Sequence, residues 1–234
     1  MNTSVLSIGS VTVGDRARVV GIISKRESVP RLMQTPRPAC DLVEVRLDRM
    51  DVEQDNWPQD IEKIERHGFP VIATLRVATE GGTWDKQETL RRPHFMRALT
   101  CASCLDIEYR SALFEELADE TRDAGKTMIA SYHDYAKTPS LDELRSVITH
   151  TATYPNVVCK IAVRIQSEDD IARLQCLLEE PRPAPLCLIG MGDLGVNTRV
   201  EFPRLGSCLA YGHLDGSTAP GQLSCEALAS ALRG

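Results

Sequence analysis

Residues 156–165 read "NVVCKIAVRI", and one lysine, Lys160, interrupts an otherwise apolar, β-branched run. Such a run favours a strand, and side chains on a strand alternate between its two faces. Lys160 therefore shares a face with Val158 and Ala162, while Val157, Cys159 and Ile161 share the other. Four more segments have the same habit. In "LVEVRLD" (42–48), Glu44, Arg46 and Asp48 oppose Val43, Val45 and Leu47. In "VIATLRV" (71–77), Thr74 and Arg76 oppose Ala73 and Leu75. In "CLDIEYR" (104–110), Asp106 and Glu108 oppose Leu105 and Ile107, and in "IASYHD" (129–134), Ser131 and His133 oppose Ala130 and Tyr132. A strand covered by a helix needs an apolar outer face, and these strands supply one. The charged set must then point inward, where burial is tolerable only if charges are paired. Glu44, Asp48, Asp106 and Glu108 can balance Arg46, Arg76 and Lys160.

Three further runs, "RVVGIIS" (18–24), "LCLIGMG" (186–192) and "SCLAYGHL" (207–214), bring the strand count to eight. Helical patterns lie between the strands. Asp60–His67 ends at Gly68, and Ser111–Ala124 ends at Gly125. Ser140 and Glu143 form a capping box, Ser167 opens an acidic first turn, and "LSCEALASALRG" closes the chain. The first link, with three prolines, allows only a short helix. Strands alternating with helices predict a parallel sheet, and eight such units predict a closed (β/α)8 barrel occupying residues 1–234 as one domain. A doubly wound open sheet is the rival, although no glycine-rich dinucleotide fingerprint follows the first strand. The early segment "VLSIGSVTV" (5–13) is predicted to form a hairpin plugging one end.

Charged residues make up 26% of the 234 and the formal net charge is −6, with no basic block, so nucleic acid is not an expected partner. No run approaches a membrane span, and the N-terminal segment reads as strands rather than as a secretion signal. The eight cysteines are scattered, several within apolar runs, which points to reduced thiols in a cytoplasmic protein without structural metal.

An inward lysine surrounded by apolar groups and other cations is pushed toward the neutral, nucleophilic amine. A histidine on the neighbouring strand, His133, could move protons. Arginines such as Arg46, Arg76 and Arg199 could grip an anion or several hydroxyls. Together these predict imine chemistry on an anionic oxo-compound, by either a lyase or an aldolase. A ligand-sensing module that kept the fold is the reading from another class, though it would not need both Lys160 and His133.

Six segments in order resemble the type I 3-dehydroquinate dehydratase family: "EVRLD" (44–48), "TLRVATEGG" (74–82), "SYHDYAKTP" (131–139), "VVCKIAV" (157–163), "MGDLGVNTR" (191–199) and "GSTAPGQLS" (216–224). The resemblance implies a (β/α)8 enzyme of the shikimate pathway that dehydrates 3-dehydroquinate to 3-dehydroshikimate. It implies Lys160 as the imine-forming residue and His133 as general acid and base, with Glu80 tuning His133. Glu44, Arg46, Arg76, Met191, Arg199, Thr218 and Gln222 are implied to line or bind substrate, with residues 216–222 as part of a lid. It also implies no metal or other cofactor, and a homodimer. Two positions depart from the usual pattern: Ile189 stands where methionine is common, and Thr218 where serine is more frequent.

Overall fold

The computed structural model describes residues 5–34, 39–54, 56–214, 216 and 221–233. The early hairpin is present: β1 (Leu6–Ile8) pairs antiparallel with β2 (Val11–Val13). Eight parallel strands follow: β3 (Arg18–Ile23), β4 (Leu42–Arg46), β5 (Val71–Thr74), β6 (Cys104–Glu108), β7 (Thr127–Asp134), β8 (Val157–Arg164), β9 (Leu186–Met191) and β10 (Leu209–His213). They pair in chain order from β3 to β9, and β10 returns to pair with β3. Closure is made where the Cys208 amide, just before β10, donates to the Leu186 carbonyl of β9 at 2.8 Å. The fold is the (β/α)8 barrel, not the open doubly wound sheet.

The helices are α1 (Ser28–Gln34), α2 (Trp57–Arg66), α3 (Arg92–Cys101), α4 (Phe114–Asp123), α5 (Leu141–Thr151), α6 (Glu168–Glu179), α7 (Thr198–Arg204) and α8 (Cys225–Arg233). The Ser140–Glu143 capping box is formed at the start of α5, and Ser167 caps α6 through the Asp170 amide. α2 begins three residues before Asp60, because Pro58 fits the first turn, where a missing N–H costs nothing. α3 and α7 were not legible as helices in the sequence. α3 buries only the narrow stripe Phe95, Ala98 and Leu99, and α7 is seven residues long with Pro203 inside it. Among the described residues, no helix is long and apolar enough to cross a membrane.

Strand alternation divides the core in two. Outward residues such as Val43, Val45, Leu105, Ile107, Cys159 and Ile161 pack against the helices. Inward residues near the strand starts, including Val20, Leu42, Ile72, Cys104, Ile129, Val158, Cys187 and Leu209, form an apolar floor inside the barrel. Ile8 and Val13 of the hairpin are fully buried in that floor, and the Thr127 hydroxyl donates to the Ser7 carbonyl at 2.8 Å. The hairpin thus closes the N-terminal end, leaving the C-terminal strand ends as the open mouth.

Candidate active site

Above the apolar floor the inward residues turn polar. The register places Ser131 of β7 beside Lys160 of β8, and Asp106 of β6 diagonally behind. Lys160 is 4% exposed, so its nitrogen needs partners inside the barrel. Nζ donates to Asp106 Oδ2 at 2.5 Å and lies 3.8 Å from Glu44 Oε1. Of the inward carboxylates expected to balance the cations, Asp106 and Glu44 are the two that reach the lysine. Arg76 is close, but two carboxylates stand between the lysine and any simple cationic repulsion.

Arg76 follows β5 and joins the same network. Nη2 donates to Asp106 Oδ1 at 2.6 Å, while Nη1 donates to Ser131 Oγ at 2.5 Å and Glu108 Oε1 at 3.1 Å. Glu108 also accepts from the buried Arg91 at 2.6 Å, and Glu44 accepts from the Thr74 hydroxyl at 2.8 Å. Burial alone would raise the Asp106 carboxyl, but Arg76 and Lys160 overcome it and hold Asp106 well below the usual carboxylate range. Asp106 therefore remains an anion bridging two cations.

His133, at the end of β7, faces a different partner. Its Nδ1 lies 2.9 Å from Glu80 Oε2, which also accepts from the His133 backbone amide at 3.1 Å. Burial lowers the His133 imidazole well below its ordinary value, helped by the nearby Arg76 and Lys160 charges. Burial also pushes the Glu80 carboxyl up to about 7, against the pull of Arg76. Near neutrality the pair is thus a neutral imidazole hydrogen-bonded to a carboxyl, not an ion pair. Where Glu80 is ionised it can accept from Nδ1–H, which leaves Nε2 as the base.

Glu80 owes its position to the turn that follows it. Gly81 has φ +78°, and a Cβ there would strike the Tyr135 hydroxyl; a Cβ on Gly82 would strike the Arg76 carbonyl. The turn is tied back by Asp48, which accepts from the Thr83 amide and receives Arg46 at two points, Nε to Oδ1 and Nη2 to Oδ2, both at 2.8 Å. The tyrosine ring in turn stacks on His133 at 6.4 Å between centroids.

These groups line one cavity of about 240 Å³, where buried Lys160 and Glu44 and part-buried His133 and Glu80 share the lining with Arg46, Arg49, Arg164 and Arg199. Met191, Gln222 and Ile189 also line it. Thr218 lies outside the described residues. Asp106 was legible as an inward charge but not as the partner of Lys160. Tyr135, half exposed just after β7, and Tyr211, inward on β10, also line the cavity; a loop tyrosine and an inward tyrosine carry no sequence signal that separates them from surface and core packing. Among the described residues, no group of three or more His, Cys, Asp or Glu is placed to hold a metal ion.

Fold and site define a barrel enzyme with a buried lysine and a carboxyl-backed histidine at the C-terminal mouth of the strands. The profile of type I 3-dehydroquinase matches residues 20–234, and the chain belongs to that family. It is 31% identical to a 3-dehydroquinate dehydratase of Methanosarcina barkeri, over 94% of this chain and 96% of that one. Among solved structures, the 3-dehydroquinate dehydratase of Aquifex aeolicus superposes with a TM-score of 0.78 at 28% identity, covering 91% of this chain and 96% of that one. The type I enzyme of Clostridium difficile shares the fold more closely, with a TM-score of 0.89 at 22% identity, covering 99% and 97%.

Proposed function

We propose that the chain dehydrates 3-dehydroquinate to 3-dehydroshikimate, in the shikimate pathway, through an imine on Lys160. The observation that carries this reading is the lysine itself: a buried amine at the base of a cavity, one strand from a neutral histidine. The Lys160 amine adds to the substrate ketone, and the ketone oxygen leaves as water to give a protonated imine. That cation withdraws electrons from the adjacent carbon, and His133 Nε2 takes the proton there. The C–O bond then breaks, the hydroxyl leaves with that proton as water, and hydrolysis of the imine returns the free lysine. Asp106 keeps its hydrogen bond to the nitrogen throughout.

The substrate's carboxylate and hydroxyls fall to Arg46, Arg76 and Arg199, with Gln222 and Met191 beside them in the cavity lining and Thr218 carried as the family resemblance implies. Arg76 serves the site as well as the substrate, because Nη1 and Nη2 donate to Asp106, Glu108 and Ser131. That second part is to anchor Asp106 and lower His133 by its charge. Borohydride added during turnover, followed by peptide mass analysis, tests the reading. An adduct on the Lys160 peptide is expected; turnover of 3-dehydroquinate without an adduct there would overturn it. A homodimer and a cytoplasmic location belong to the same reading, and a monomer by light scattering across the micromolar range would remove the dimer.

Glu80 carries a prediction of its own. Below about pH 7 its carboxyl is protonated and no longer fixes the Nδ1–H tautomer, so kcat/KM should fall on the acid side of that value. Replacing it, Glu80→Gln, should lower the plateau by about tenfold and remove that limb. Stability moves the other way. The folded-state value lies above the ordinary 4.5, so this group stabilises most below pH 4.5 and loses that contribution as pH rises through 7. Glu80→Gln should therefore be more stable than the parent at pH 8, by about 1–3 kcal/mol, measurable by urea unfolding.

A further inference from the structure

Tyr211 sits on the inward face of β10, 7% exposed, and lines the same cavity as Lys160. Its ring presents a face to the lysine, with Nζ 4.7 Å from the centroid. Its hydroxyl is buried and has no hydrogen-bond partner among the described residues. A buried hydroxyl with nothing to bond to contributes no stability. What fixes this residue is therefore its ring, packed among Ile22, Cys187 and the rest of the barrel floor. Burial pushes the phenol well above its ordinary value, as do the nearby charges of Glu44 and Asp106, so the ring stays neutral and electron-rich toward the cation above it.

We propose that Tyr211 is a positioning residue that holds the Lys160 nitrogen in its cationic form through the face of its aromatic ring. The inference rests on the imine reading and deepens it. The nitrogen is positive in that cycle as the protonated imine through which the adjacent carbon is acidified. An aromatic face attracts a cation but not a neutral amine, and the attraction is strongest where water is excluded. Asp106 holds the nitrogen from one side by a hydrogen bond, and Tyr211 holds it by a face that survives conversion of the amine into an imine. A carboxylate alone could satisfy the charge; the ring adds a second, non-bonded wall that fixes where the nitrogen stands.

Two variants separate ring from hydroxyl. Tyr211→Leu keeps an apolar side chain and removes the π face. It should lower kcat about tenfold, the equivalent of a desolvated cation–π contact, with KM within threefold. The fraction of enzyme trapped by borohydride at steady state should fall with it. Tyr211→Phe keeps the face, and should hold both kcat and the trapped fraction within threefold of the parent. Its melting temperature should be unchanged or higher, because an unpartnered hydroxyl has been removed. Wild-type kcat and trapping in a folded Tyr211→Leu protein would overturn the inference. So would a loss in Tyr211→Phe equal to that in Tyr211→Leu, which would assign the effect to the hydroxyl. Should Tyr211→Leu not fold, Tyr211→Phe alone decides: retained trapping and melting temperature support the ring, and loss of either overturns it. Failure of the parent protein itself to trap an adduct during turnover sinks the imine reading instead, so the two failures are distinguishable.

Discussion

Lys160→Met is expected to abolish turnover while leaving the barrel folded. Methionine has nearly the length of lysine and fills the same buried channel, but it carries no nucleophile. If the imine is the route, kcat should fall by about 10⁴-fold or more, the scale seen when a covalent nucleophile is removed, and borohydride should trap nothing. The structural cost is bounded by what remains around Asp106. That carboxylate loses one partner at 2.5 Å but keeps Arg76 Nη2 at 2.6 Å and the Ser131 hydroxyl at 2.7 Å. Breaking a buried pair outright is severe because it strands a charge; here the charge is still paired. A loss of about 1–3 kcal/mol is expected, below the full cost of an orphaned buried ion. Urea unfolding and steady-state kinetics on one preparation check both halves. An unfolded Lys160→Met protein would mean that the lysine is chiefly structural glue; a folded and active one would remove it from the chemistry.

The different outcomes for Lys160 and its neighbours show what one sequence can carry. Alternation along β4 to β8 places Glu44, Arg46, Thr74, Asp106, Ser131, His133 and Lys160 on one face, and that period is a property of each strand alone. It was therefore legible. Which inward groups touch depends on the stagger between strands, which no single strand encodes. Ser131 is the register neighbour of Lys160, yet the hydrogen bond goes one strand further, to Asp106. Which of the inward carboxylates reaches the lysine is likewise set by that stagger, so Asp106 at 2.5 Å and Glu44 at 3.8 Å could not be told apart from Glu108 in the sequence. Tyr211 was hidden more deeply, because its contact with Lys160 exists only once β9 and β10 close the barrel. The drift at α2 and the unread α3 and α7 lie where proline or a narrow apolar stripe weakens the periodic signal. α4 begins at Phe114 rather than Ser111 because the Ser111 hydroxyl and carbonyl close a turn ahead of it. By contrast the Ser140–Glu143 box was read correctly because its spacing is local.

His133→Ala is expected to separate imine formation from the proton transfer that follows. The imidazole does not touch Lys160 in any hydrogen bond described here; it is held from the other side, by Glu80 at 2.9 Å and by the stacked Tyr135 ring. Removing it leaves the Lys160–Asp106–Arg76 network unaltered, so the amine still has its partners and its access to the cavity. Turnover should fall by about 10³-fold, within the range for loss of a positioned general acid and base. Borohydride should nonetheless still trap an adduct on the Lys160 peptide, and in greater steady-state amount than in the parent, because the imine now forms faster than it is consumed. Added imidazole should recover part of the rate if the space left by the ring admits it, with the recovery rising as the free imidazole becomes unprotonated above its pKa near neutrality. The opposite result would be equally clear. Loss of trapping together with loss of turnover, in a folded protein, would place His133 before the imine rather than after it. Wild-type turnover would leave the proton transfer to another group at the site. The sign of the change in trapped enzyme, up for a late role and down for an early one, is what the two-sided geometry around Lys160 and His133 makes measurable.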